Sequence, residues 1–263
     1  MAKPSPYVVK VVEVSTLSPH LRRVVFSGDS LARFPEGFLG GYMKFLFDKS
    51  PPHAPPRSIP NAGLNLAALL KRSYTIRAFD PATRHLTLDF VCSGEKGPAT
   101  NWANHVEVGE ELVVAGPGPV RSPDPSSDWV LLCGDMTALP GIAVQLEALP
   151  ESMRGYAVIH VLSDADKLDL RLPKGVEVQW VVDEAPSSPQ LVDAVRNKAW
   201  LPGRVGVWSA SEFSIMRSLR EYFRGERLVP SSDIYISSYW KQGDTDEEHK
   251  LAKRRDESGA GIG

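Results

Sequence analysis

The apolar pattern of this 263-residue chain changes period once, at a run of turn-forming residues, Arg121-Ser122-Pro123-Asp124-Pro125-Ser126-Ser127. Before it, apolar residues mostly alternate over short stretches: Tyr7 to Val14, Leu21 to Phe26, Tyr42 to Phe47, Arg72 to Phe79, His85 to Val91 and Glu111 to Ala115. Alternation marks strands with one buried face, and such strands between Gly and Pro turns predict a small six-stranded antiparallel β-barrel. After it, several runs are near-continuous: Trp129 to Cys133, Tyr156 to Leu162, Val176 to Val182, Arg204 to Trp208 and Ile234 to Tyr239. Strands buried on both faces, interleaved with helix-like segments at 138–149, 190–198 and 212–224, predict a doubly wound parallel α/β domain.

The expected organisation is a barrel domain over 1–121, a linker at 122–127, an α/β domain over 128–241, and a C-terminal helix and tail over 242–263. Asp244 is expected to cap that last helix, with Glu247 completing a capping box. The Pro-rich stretch from Lys49 to Leu70 reads as a long loop over the barrel.

Charge excludes one class of function. The 30 basic and 32 acidic residues nearly cancel, so no general nucleic-acid surface is expected. No apolar stretch approaches the roughly 20 residues that span a bilayer, and the N-terminus lacks the apolar core of a secretory signal. A cytoplasmic protein without a membrane partner is the expectation. Cys92 and Cys133 lie in apolar runs without metal-ligand spacing and read as reduced packing residues. The absence of a long exposed apolar stripe favours a monomer.

Three segments carry chemistry. Arg72-Ser73-Tyr74-Thr75-Ile76-Arg77 sets a cation, an aromatic ring and hydroxyls on one extended segment, where Arg72 and Tyr74 share a face and Ser73 and Thr75 the other. A flavin makes those demands: a cation for its pyrophosphate, a flat partner for its ring, and a hydrogen-bonding group near N5. Ser93-Gly94-Glu95-Lys96-Gly97-Pro98-Ala99-Thr100 follows a strand and opens a helix, whose free amides suit an anion. Gly134-Asp135-Met136-Thr137-Ala138-Leu139-Pro140 is a strand-turn-helix junction of the kind that holds nucleotides, though without the G-x-G-x-x-G fingerprint.

In this order the three segments resemble the siderophore-interacting proteins, FAD-dependent ferric-siderophore reductases of the ferredoxin-reductase superfamily. Ser238-Tyr239-Trp240-Lys241-Gln242-Gly243, followed by Glu247-Glu248-His249-Lys250, is similar to the C-terminal signature of the subgroup with an extra helix. The resemblance implies that Arg72 neutralises the FAD pyrophosphate, Tyr74 stacks on the isoalloxazine and Thr75, beside Ser73, hydrogen-bonds near N5. It places Asp89, Val91 and Ser93 along the FAD, and gives the phosphates to Gly97, Ala99 and Thr100. Thr137 would contact flavin or nicotinamide, and Ala210-Ser211-Glu212 would form the turn beside the cofactor cleft.

Electron transfer by flavin requires no catalytic acid or base, and no triad or resident metal site is expected. The substrate is a ferric siderophore, and Lys44, Arg121 and Lys241 match basic positions of the family's substrate pocket. Four positions depart from the pattern: Ser93 stands for His, Met136 for Glu, Ser211 for Gly and Gly118 for an arginine. Asp164 and Asp166 after the strand at 156–162 would repel a 2′-phosphate, which favours NADH over NADPH, with ferredoxin as a further donor. A non-catalytic carrier of FAD or of the chelate, and a general flavin reductase, are the competing readings.

Overall fold

The computed structural model describes residues 6–47, 69–92 and 97–259, apart from the side chains at 246, 247 and 257–259. Two compact units emerge: Met1–Arg121 with Ala165–Asp169, and Ser122–Asp164 with Leu170–Gly263.

In the first unit, β1 (Tyr7–Ser18), β2 (Leu21–Ser27), β3 (Tyr42–Phe47), β4 (Leu70–Asp80), β5 (His85–Val91) and β6 (Glu111–Gly118) close a barrel in the order β1-β2-β5-β4-β3-β6. Every pairing is antiparallel. Closure leaves no free sheet edge, and the inward residues form one aromatic-rich core around Phe26, Phe45, Phe47 and Phe90. Helix α1 (Pro98–His105) contributes Trp102 to that core, near-parallel to Phe26 with centroids 6.2 Å apart. The indole of Trp102 donates to Glu110 at 3.0 Å. At the other end of α1 the Arg22 guanidinium donates to the carbonyls of Ala103 and Asn104, at 2.9 and 2.8 Å, which satisfies groups the helix leaves open.

The expected loop at 49–70 lies mostly outside the described residues; Leu70 itself starts β4. Strand β1 runs four residues past its expected end, because Val14, Ser15, Thr16 and Ser18 pair with β2 although their polar sequence shows no alternation.

The second unit is built on a five-stranded parallel sheet of β7 (Trp129–Gly134), β8 (Arg154–Val161), β9 (Gly175–Val182), β10 (Val205–Glu212) and β11 (Ile234–Trp240), in the order β11-β10-β7-β8-β9. The chain proceeds outward from β7 to β8 and β9, then returns to start β10 on the other side of β7. The switch point therefore falls between β7 and β10, where the ends of the strands open a crevice for ligands. Helices α2 (Leu139–Ala148), α3 (Gln190–Arg196) and α4 (Phe213–Arg220) make three of the four crossovers. The connection from β8 to β9 carries no α-helix, and its residues Ala165–Asp169 group with the barrel.

The last helix, α5 (Asp246–Gly259), starts later than expected. Its capping box is Thr245 with Glu248: the Thr245 hydroxyl donates to Glu248 at 2.8 Å, and the two backbone amides are satisfied reciprocally at 2.7 and 3.3 Å. Asp244 is taken by Lys241 at 2.7 Å instead. The helix is held to the unit by two bonds from Arg220 to Asp256, 2.6 and 2.9 Å, and by Lys253 donating to Ser237 and to the Ser238 carbonyl.

Candidate functional site

The flavin-like segment lies on β4, and its register fixes which way each side chain points. Arg72 pairs with Phe45 and Tyr74 with Met43, both fully buried, while Ser73 pairs with exposed Lys44 and Thr75 with Tyr42. Arg72 and Tyr74 thus share the core-side face and Ser73 and Thr75 the outer one, as alternation predicts. The Tyr74 ring rests on Phe90, centroids 4.3 Å apart, and meets Phe45 edge-on at 5.7 Å.

Strands β4 and β5 separate beside this segment. Their ladder ends at the rung from Ile76 to Leu88, so among the described residues no rung joins 72–75 to 89–91. Thr75 is only 8% exposed, yet no described residue hydrogen-bonds its hydroxyl. Thr75, largely buried where β4 has no rung to β5, suits the polar edge of a planar ligand.

Helix α1 begins close to this opening in sequence. Gly97 gives no side-chain cap, and the first helical bond runs from Asn101 N to the Gly97 carbonyl at 2.9 Å. The amides of Ala99 and Thr100 precede that bond and have no intrahelical acceptor, so they suit an anionic group. Ser93 lies outside the described residues. Val91 ends β5 half-buried. Asp89 is committed elsewhere: Arg23 holds both its oxygens, at 2.7 and 2.8 Å, and the carboxylate side chain is 2% exposed.

In the second unit the switch point is organised by Asp135. This carboxylate, 4% exposed, accepts from the Thr137 amide at 2.9 Å, the Thr137 hydroxyl at 2.5 Å, the Glu212 amide at 2.8 Å and the Trp240 indole at 2.9 Å. Burial pushes its carboxyl up from the ordinary range, and the four donors pull the other way by favouring the anion. Gly134 must be glycine: a Cβ there would lie 2.4 Å from the Ala210 carbonyl oxygen and 2.5 Å from the Ala138 Cβ.

Ala210, Ser211 and Glu212 form the end of β10 rather than a turn. Glu212 caps α4, accepting from the Ser214 amide and hydroxyl and the Ile215 amide, while its other oxygen takes the Gln242 amide at 3.2 Å. Asp135 therefore holds Thr137 and Glu212 together, and Ala210 lies beside Gly134 on the neighbouring strand.

The expected substrate cations differ in setting. Lys44 is exposed on the outer face of β3, with Nζ 5.6 Å from the Tyr42 ring centroid. Lys241 is neutralised by Asp244, and Arg121 is exposed just beyond β6. A side chain at Gly118 would require the Tyr42 ring to move, since a Cβ there would come within 2.1 Å of it.

Residues 10–121 match the siderophore-interacting FAD-binding domain, and residues 127–243 match the siderophore-interacting protein family. The chain belongs to the siderophore-interacting protein family. An uncharacterized protein of Mycobacterium tuberculosis is 36% identical over 264 residues, covering 93% of each chain. Ferric vibriobactin reductase ViuB of Vibrio cholerae is 30% identical over 256 residues, 93% of this chain and 92% of that protein. The crystal structure of the siderophore-interacting protein SipS from Aeromonas hydrophila matches with a TM-score of 0.83 at 28% identity, covering 96% of this chain and 98% of that one. As a member of the family the protein is an FAD-dependent oxidoreductase.

Asp135, Trp240 and Tyr42 were not assigned roles by the sequence. The available signal for Asp135 was an acid placed directly after a strand-ending glycine, a costly position for a charge without fixed partners.

Proposed function

We propose that the protein is a ferric-siderophore reductase that takes electrons from NADH, or from NADPH or ferredoxin, and delivers them singly to the ferric iron of a bound chelate. The carrying observation is the parting of β4 and β5 beside Arg72, Tyr74 and Thr75, in a chain whose first unit matches a siderophore-interacting FAD-binding domain. When bound, FAD supplies the conversion between two-electron and one-electron chemistry.

Arg72 would neutralise the pyrophosphate together with the amides of Ala99 and Thr100 beyond Gly97. Tyr74, backed by Phe90, presents a flat partner to the isoalloxazine. Thr75 offers its buried hydroxyl near N5, with Ser73 and Val91 beside it, and Asp89 contributes by bracing β5 through Arg23. Thr137, Ala210 and Glu212 shape the crevice for the nicotinamide end of the donor. Lys44 and Arg121 would supply positive charge toward the chelate, with Lys44 the more openly placed, while Lys241 is already paired with Asp244.

Hard oxygen ligands hold ferric iron more tightly than ferrous iron, so reduction loosens the metal. The ViuB relative is named for the reduction of a ferric siderophore, which supports the same class of substrate here. Of the two acids expected to repel a 2′-phosphate, Asp166 is fully buried and accepts from the Ser18 hydroxyl at 2.7 Å and pairs with His20 Nδ1 at 2.8 Å. The preference for NADH therefore rests on Asp164.

The test is an anaerobic absorbance titration of the FAD-loaded protein with NADH, NADPH and reduced ferredoxin in turn, followed by a ferric siderophore and a ferrous trap. Bleaching by one donor, with colour returning as trapped Fe(II) appears, is the expected result. A flavoprotein that bleaches but reduces no chelate would be a general flavin reductase, and one that takes up no FAD would be a carrier.

A further inference from the structure

We propose that Tyr42 is a specificity-determining residue of the chelate site and selects ferric complexes of aromatic, catechol-type ligands; this rests on the reductase reading above. Three neighbouring strands, β4, β3 and β6, share an outer face. On β3, Tyr42 and Lys44 point outward, between buried Met43 and Phe45. Their partners on β4 are Thr75 and Ser73, and on β6 Gly118 and Ala115. All four partners are small, so among the described residues paired here the ring and the ammonium are the two large groups.

The ring has a fixed seat. A Cβ on Gly118 would approach three of its atoms at 2.1 to 2.4 Å, so the Tyr42 ring lies directly over the glycine. The Lys44 ammonium stands 5.6 Å from the ring centroid. Tyr42 is also the cross-strand partner of Thr75, the residue assigned to the reacting edge of the flavin. The pair therefore stands next to the edge to which a chelate would bring its iron.

The pair discriminates among ligand chemistries. A ferric tris-catecholate is trianionic and aromatic, and it satisfies both groups. A ferric tris-hydroxamate is uncharged and gives Lys44 no partner, while ferric citrate is anionic but has no ring to lie against Tyr42.

The experiment uses full-length, FAD-loaded protein reduced by dithionite, so that the identity of the natural donor does not enter. Reduction of ferric tris(2,3-dihydroxybenzoate), ferric citrate and ferric tris(acetohydroxamate) is followed with a ferrous trap. Affinity for the gallium forms of the same chelates, which do not accept an electron, is measured by fluorescence quenching. Tyr42→Leu should weaken the catecholate roughly three- to tenfold in both KM and Kd, leave citrate unchanged, and be rescued by Tyr42→Phe. Gly118→Ala, which displaces the ring without removing it, should behave like Tyr42→Leu. Equal effects on all three chelates, or none on the catecholate, would overturn the proposal. The reductase reading fails separately, if the wild-type protein reduces none of the three chelates, and the proposal then falls with it.

Discussion

Trp240 at the end of β11 donates its indole N–H to Asp135 at the end of β7, across 2.9 Å, with β10 lying between the two strands. The bond ties three strand ends of the sheet into one unit, because Asp135 also accepts from the Glu212 amide of β10. Replacing the carboxylate by an amide turns one acceptor toward donors. Asp135→Asn is expected to destabilise the protein by about 1–3 kcal/mol and to raise KM for the nicotinamide more than it lowers kcat. Urea denaturation and steady-state kinetics check both; an unchanged KM would remove Asp135 from the donor site.

The fork between Arg23 and Asp89 makes a sharper prediction for the barrel. Arg23→Ala strands a buried carboxylate, which should cost about 3–5 kcal/mol, whereas Arg23→Lys retains charge but loses the parallel geometry and should fall between. The double variant Arg23→Met/Asp89→Leu should recover most of the loss. Denaturation midpoints decide it, and a double variant as unstable as Arg23→Ala would show that Asp89 serves the barrel in some other way.

Which parts of this molecule were legible in its sequence follows from how local their causes are. Strands β3 and β5 match their sequence patterns to the residue, because Tyr42 to Phe47 and His85 to Val91 carry their own burial signal between polar or turn residues. Strand β10 was cut short at Trp208 because Ser209 to Glu212 are small or polar; pairing with β7 and β11 holds them extended. The cap of α5 was expected one residue early, at Asp244 with Glu247, whereas Thr245, which also has a glutamate three positions on, forms it. Lys241 decides the matter by engaging Asp244. The Arg23 partner of Asp89 is 66 positions away, and the Trp240 partner of Asp135 is 105 away. Distances of that kind leave no local pattern, so the motifs point to candidate segments but not to the contacts that Asp89 and Asp135 make.

Gly134 tests the close packing at the switch point. Gly134→Ala would push a Cβ against the Ala210 carbonyl and the Ala138 side chain, neither of which belongs to a flexible tip. Overpacking of this kind is expected to cost roughly 1–3 kcal/mol. It should also weaken nicotinamide binding while FAD content holds. Loss of FAD alone, with nicotinamide binding intact, would contradict the placement.

The two cysteines should be inert in the folded protein. Burial pushes the Cys133 thiol up to about 12 and raises Cys92 as well, so neither forms much thiolate near neutrality. Iodoacetamide at pH 8 should label neither in the native state and both in urea, as read by mass spectrometry. Rapid native labelling of Cys133 would mean that β7 opens far more readily than its burial implies.

The anchoring of α5 should depend on pH in one direction only. Hydrogen bonds from Arg220 hold the Asp256 carboxyl below its ordinary range, with the charges of Arg220 and Arg217 adding to the effect. A carboxyl whose folded value is depressed stabilises the fold fully above its unfolded value of about 3.9. That stabilisation is lost as pH falls through the folded value. The difference in thermal midpoint between wild type and Asp256→Asn should therefore be constant from neutrality to about pH 5 and shrink below about pH 4. A difference that grew on acidification, or that stayed level down to pH 2, would show that the Arg220 to Asp256 pair does not carry the anchoring of α5.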